Sequence, residues 1–302
     1  MRPLTYLTQF GHQGPGMEPF FPYGVAISPA SGNVLVVAIR NEPISVFSAS
    51  GTYLGPFVTS DIQLGGYGIA INSKSGDVYV VDQGRDRVVV FNSNGTYLSQ
   101  FGNYGTGDGQ FYGPEGIAVN SNSGEVYVVD NINSRVEEFS ATGDYTGQFG
   151  TSGLGIGQFD LPTDVAVNPI SGDVYVTDTA SFRVEQFTAS GSYIRQFGSF
   201  GNGAGQFSSP SGLAADPSTG DIYVTDLQGD RVQVFSATGA YLTQFGSNGT
   251  GNGQFQGPRA AAVNPTSGAV YVVDASNQRV EVFAPLAPNR MPAPQIVSGM
   301  SH

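Results

Sequence analysis

The chain has 302 residues, with 24 acidic and 12 basic side chains, a formal charge of -12, and no Cys or Trp. That charge, with Lys74 as the only lysine, argues against a nucleic-acid partner, since a duplex would meet net repulsion. The missing cysteines exclude a disulfide framework, a thiolate metal site and a Cys nucleophile, and two histidines, His12 and His302, are too few for a three-histidine zinc site.

In chain order, Met1-Arg2-Pro3-Leu4-Thr5-Tyr6 has no apolar leader run, and no later stretch reaches the ~18–20 apolar residues of a membrane span. Thr5-Tyr6-Leu7-Thr8-Gln9-Phe10-Gly11 reads as one isolated strand, close in form to Ala240-Tyr241-Leu242-Thr243-Gln244-Phe245-Gly246. A unit of four short strands then begins near Gly24, with Val34-Leu35-Val36-Val37-Ala38 as its second strand. From there the chain repeats. Val78-Tyr79-Val80-Val81-Asp82 and its counterparts end in Asp at 82, 130, 178, 226 and 274, a constant step of 48. β-branched and aromatic residues dominate these runs and Ser-Gly, Thr-Gly and Asn-Gly pairs punctuate them, as in hairpins rather than helices.

Six first strands, near Gly24, Gly68, Gly116, Asp164, Gly212 and Ala260, predict an all-β, six-bladed propeller with four-stranded antiparallel blades. The last unit stops after its third strand at Phe283, so the N-terminal strand is expected to complete it, giving a one-plus-three closure. Residues 1–283 form the propeller in this reading and residues 284–302 a Pro-rich tail. The string Gly107-Asp108-Gly109-Gln110-Phe111-Tyr112-Gly113-Pro114-Glu115-Gly116-Ile117-Ala118-Val119, followed by Val126-Tyr127-Val128-Val129-Asp130-Asn131-Ile132-Asn133-Ser134-Arg135-Val136, closely resembles the NHL repeat. The resemblance runs through residues 4–283 and implies the six-bladed fold. Propellers similar to it include peptide-amidating lyases, RNA-binding domains and receptor-kinase sensor domains, so the fold does not fix the function.

Features kept in every blade serve the blade, and features that differ mark what one face can use. The regular Phe positions are expected to pack blade against blade. The pairs Asp82/Arg87, Asp130/Arg135, Asp178/Arg183, Asp226/Arg231 and Asp274/Arg279 are expected to fix a loop through an ion pair. Because neighbouring strands are antiparallel, the long Gly-rich connections and the starts of the first strands share one face, which is the candidate binding face. There the blades differ: Tyr23, Tyr67, Glu115, Asp164 and Arg259 are expected to converge on the channel mouth. They form either a ligand site or simply a wet entrance. Blade one departs again at Arg40 and Glu42, where the Asp-to-Arg unit is replaced.

With no catalytic constellation visible, the expected function is non-catalytic recognition or scaffolding of a protein, peptide or glycan through this face, with no cofactor. The alternative is a Ca²⁺-dependent hydrolase or lyase whose ion is held by Glu115 and Asp164. The acidic, lysine-poor composition points to an extracellular or cell-surface protein, as a monomer or as part of a larger chain or assembly.

Overall fold

The computed structural model describes residues 4–11, 21–39, 43–58 and 64–285. They form six four-stranded antiparallel sheets arranged as the blades of a propeller. Blades one to five each take four consecutive strands, and blade six takes Pro258–Val263, Val270–Asp274 and Arg279–Pro285 plus the N-terminal strand Leu4–Gly11. The closing ladder runs from Leu4 opposite Pro285 to Gly11 opposite Arg279, so the last strand continues two residues past Phe283. The ring is thus closed by hydrogen bonding between the two ends of the described chain.

The second strands are buried on both faces, which explains why they read as nearly unbroken apolar runs rather than as an alternation. Each face feeds a different inter-blade core. Val78 and Val80 pack towards blade one, while Tyr79 and Val81 pack towards blade three. Six such clusters, one between each pair of neighbouring blades, replace a single central core. The expected Phe packing is present: a fourth-strand Phe meets the third-strand Phe of the next blade at 4.6 Å for Phe101 and Phe139, and again for Phe149 and Phe187. Phe10, carried by the closing strand, meets Phe47 of blade one at 4.7 Å and so seals the ring with the same contact.

The repeated Asp–Arg pairs also hold. Arg135 Nε donates to Asp130 at 2.8 Å, with equivalent bonds of 2.8–3.1 Å in the other four blades that carry the pair. Asp130 accepts the Tyr112 amide at 2.7 Å through its other oxygen. Arg135 also reaches Gln148 of the fourth strand and the loop carbonyls of Thr106, Gly107 and Gln110. One buried pair therefore ties the second, third and fourth strands to the Gly-rich connection that precedes the blade.

In three blades the same arginine has a second carboxylate. Glu137, Glu185 and Glu281 are fully buried on the third strands, 2.8–3.1 Å from Arg135, Arg183 and Arg279. Blade five carries Gln233 at this position, and its amide donates to the Gln206 carbonyl at 2.6 Å. Burial lifts the Glu137 carboxyl to about 8 and those of Glu185 and Glu281 to about 7, against the pull of the arginine beside each.

Truncating Arg135 to Ala strands a buried carboxylate and is expected to cost about 3–5 kcal/mol, read from the midpoint of urea unfolding. Arg87→Ala costs less, because Arg87 is 21% exposed against 8% for Arg135. The buried glutamates add a pH dependence. Their folded-state values lie above the ordinary 4.5, so between about pH 4.5 and 8 the native state holds more protons than the unfolded chain. Stability is therefore highest below that window and falls as pH rises through it. Replacing Glu137, Glu185 and Glu281 together by Gln, the residue blade five already uses, should flatten melting temperature against pH between 6 and 9, and an unchanged slope would refute the assignment.

Candidate functional site

A β-bulge delivers the site. In blade three Pro114 pairs with Asp130 and the ladder resumes only at Ile117 opposite Val128, which leaves Glu115 and Gly116 out of the pairing. The same shift follows Gly66, Pro162, Pro210 and Pro258, and a shorter one follows Pro22. Bulges re-aim side chains, and here they turn one or two residues per blade towards the propeller axis. The ring is tight at this level: a Cβ on Gly116 would stand 2.5 Å from Asp164 Cα, and one on Gly212 would land on the Arg259 carbonyl. Glycine is required there by close approach of the next blade.

The bulged residues line one hollow of about 90 Å³, which contains Tyr23, Tyr67, Glu115, Asp164 and Arg259. These five are thus brought together, as the sequence suggests. Arg40 and Glu42 lie outside the described residues. The Tyr23 and Tyr67 rings pack at 4.3 Å with a tilt of 50°, and the Arg259 guanidinium sits 4.8 Å above the Tyr23 ring. The Tyr23 hydroxyl donates to Glu115 Oε2 at 3.4 Å.

Both carboxyls are perturbed. Burial raises Glu115 to about 7, opposed by the Arg259 charge and by hydrogen bonds from Tyr23 and Gln83. Burial also raises Asp164 to about 7, opposed by the amides of Leu213 and Val165, while the Glu115 charge pushes it further up. Asp164 Oδ1 accepts the Val165 amide at 2.9 Å and Oδ2 the Leu213 amide at 2.8 Å, so this carboxyl is held across two blades. Burial and the Glu115 charge also raise the hydroxyls of Tyr23 and Tyr67, which stay protonated.

Three contributors escape a sequence reading. Gln83 reaches Glu115 from the short loop of blade two. Thr177 and Thr225 replace the valines at 81, 129 and 273, and their hydroxyls stitch the mouth: Thr177 donates to the Ser211 carbonyl at 2.8 Å, and Thr225 to that of Arg259 at 3.0 Å. The only visible signal is the change from Val-Tyr-Val-Val-Asp to Val-Tyr-Val-Thr-Asp and Ile-Tyr-Val-Thr-Asp. At the opposite end of the same strands Ile27, Ile71, Val119, Val167, Ala215 and Val263 ring a second hollow of about 300 Å³ whose lining also includes Ser73, Ser121 and Asn122, so the first strands present charged and aromatic residues at one mouth and aliphatic ones at the other.

Among the described residues no three His, Asp or Glu side chains are grouped as a metal site, and no helix is long and apolar enough to cross a membrane. Glu115 and Asp164 supply two carboxylates, against the 6–8 oxygens that Ca²⁺ takes.

Comparison with known proteins places the architecture. Residues 41–151 match a family described as 6-bladed beta-propeller, and residues 159–187 and 207–235 match the NHL repeat. No curated protein sequence matches the chain. Among solved structures it is similar to an auxiliary nutrient binding protein from Bacteroides ovatus, with a TM-score of 0.69 and 14% identity over 95% of this chain and 78% of that one. A gluconolactonase from Xanthomonas campestris gives 0.68 and 14% over 88% and 86%. A catalytically inactive virginiamycin B lyase from Staphylococcus aureus with quinupristin gives 0.61 and 15% over 95% and 90%. Identities this low speak for the fold alone. With six blades in a closed ring, a six-bladed propeller match over residues 41–151 and two NHL-repeat matches beyond it, the chain is a six-bladed β-propeller that carries NHL repeats.

Proposed function

We propose that this propeller is a non-catalytic recognition module that seats the tip of a protein, peptide or glycan ligand in the polar channel mouth formed by Tyr23, Tyr67, Glu115, Asp164 and Arg259. The observation that carries the reading is the size and make-up of the hollow. At about 90 Å³ it falls well below the roughly 300–1,000 Å³ of sites that enclose a whole small molecule, so it suits one protruding group of a larger partner. Tyr23 and Tyr67 offer ring surface, Glu115 accepts hydrogen bonds, and Arg259 favours an acceptor or carboxylate on the ligand. The acidic, lysine-poor composition favours an extracellular or cell-surface setting for such recognition.

A second reading, a Ca²⁺-dependent hydrolase or lyase with its ion at Glu115 and Asp164, draws support from the burial that raises both carboxyls and from the Glu115 charge that pushes Asp164 further up. Two measurements separate the readings. About one Ca²⁺ per chain by metal analysis, with a melting temperature that drops in EDTA, would favour the ion. No metal and no shift would favour recognition.

For the recognition reading, peptide and glycan arrays are probed with the protein and with Tyr67→Ala and Glu115→Gln. Loss of a recovered ligand by about tenfold or more in either variant is expected. If every recovered ligand binds both variants unchanged, the reading fails. A ligand that donates to Glu115 should bind more tightly at pH 8 than at pH 6, because the carboxylate, formed above about pH 7, is the stronger acceptor.

A further inference from the structure

The closure leaves a second, unrelated hollow on the opposite face. In four blades the second-strand Tyr crosses to the next blade and donates its hydroxyl to a carbonyl in the turn between that blade's third and fourth strands. Tyr79 bonds Ala141 at 3.0 Å, Tyr127 bonds Ala189 at 2.9 Å, Tyr175 bonds Ala237 at 2.7 Å and Tyr271 bonds Ala49 at 3.0 Å. Tyr223 of blade five faces blade six, whose third and fourth strands come from different ends of the chain. Among the described residues no turn joins those two strands to supply the carbonyl. Tyr223 is only 4% exposed, and among the described residues its hydroxyl has no hydrogen-bond partner.

Two neighbouring carboxylates are also short of partners. Asp173 of blade four is capped by Gln186 at 2.8 Å, but the corresponding Asp221 lies beside Val234, which pairs with Tyr223 where Gln186 pairs with Tyr175. Asp216, 8% exposed, stands where four other blades carry Asn72, Asn120, Asn168 and Asn264. Its Oδ1 accepts the Ser218 amide and hydroxyl and the Thr219 amide, and among the described residues its Oδ2 takes no hydrogen bond. Asn168 donates across to the Gly220 carbonyl at 3.1 Å, a bond that Asp216 cannot make. The hollow these residues line measures about 480 Å³, includes Leu4, Pro265 and Pro285 as apolar wall, and has no Lys or Arg in its lining.

We propose that this closure-seam hollow binds an arginine side chain of a partner peptide, with the guanidinium on Asp216 and Asp221 and a peptide carbonyl accepting the Tyr223 hydroxyl in place of the missing turn. The pieces match that chemistry. A guanidinium brings five donors to two carboxylates that lack them, and its aliphatic stem covers the proline and leucine wall. Arginine alone would leave the Tyr223 hydroxyl at the hollow without a protein partner, whereas the backbone of a peptide supplies an acceptor. The volume lies within the range of sites that enclose a small ligand, unlike the channel mouth. The site is independent of that mouth, so its fate does not decide the reading given above.

The test is calorimetric titration of the full chain with a capped Gly-Arg-Gly peptide and with the same peptide carrying neutral citrulline. Arg290→Gln is titrated alongside, since Arg290 follows Pro285 by five positions in the sequence. Binding by the protein or by this variant, with citrulline, Asp221→Asn and Tyr223→Phe each weakening it by about tenfold, is the expected result. Equal binding of arginine and citrulline, unchanged binding in Asp221→Asn, or no binding by either protein would overturn the proposal. Melting temperatures guard against misfolding: Tyr223→Phe should melt like the parent, because its hydroxyl bonds none of the described residues, whereas Tyr175→Phe should melt lower.

Discussion

The buried Asp–Arg pair is the constraint on which the rest of the molecule depends. A long Gly-rich connection has no side chains with which to hold its own shape, and its backbone groups must be paired somewhere once it is pressed against a blade. The arginine does this by donating to loop carbonyls, and the aspartate by accepting a loop amide, while the two satisfy each other. Fixing that connection fixes where the next first strand begins, and with it the bulge that turns Glu115 or Asp164 towards the axis. The candidate site is therefore positioned by interactions that never touch it. Blade two varies the scheme with a second cation, Arg85, 3.3 Å from Asp82.

Much of this was legible in the sequence, because repetition exposes what a single strand hides. A constant step of 48 between the Asp residues locates the blades, and the stray Tyr-x-x-Gln-Phe-Gly string at Tyr6 locates the closure. The convergence of Tyr23, Tyr67, Glu115, Asp164 and Arg259 follows from the propeller reading, the antiparallel order of its strands and the differences among blades at the first-strand starts. Other features stayed hidden for physical reasons. Alternation places one face of an outer strand in solvent, yet Glu137, Glu185 and Glu281 sit under the Gly-rich connection and are fully buried. A pattern of residues along a strand does not reveal what a loop from elsewhere covers. Gln83 and the two threonines matter through hydrogen bonds between blades, which no one-dimensional reading contains.

The two ends of the channel illustrate how one architecture separates chemistries. The first strands present bulged polar residues at one mouth and regular Ile, Val and Ala residues at the other, only a few positions apart. The bulge is what permits this, since it frees its residues from the ladder and from the apolar alternation that the inter-blade cores impose. Variation among blades can then accumulate at positions 23, 67, 115, 164 and 259 without disturbing the packing of Phe against Phe.

The closing ladder also sets how the molecule bears load. Leu4 and Pro285 are paired directly, so the two points where the described chain leaves the ring lie side by side at one end of an antiparallel pair. Tension applied through those points would open the ladder one hydrogen bond at a time, from Leu4 towards Gly11, rather than shearing all of them together. A propeller loaded in this way yields at its seam, and the peeling strand parts Tyr6 from Phe283 before it parts Phe10 from Phe47.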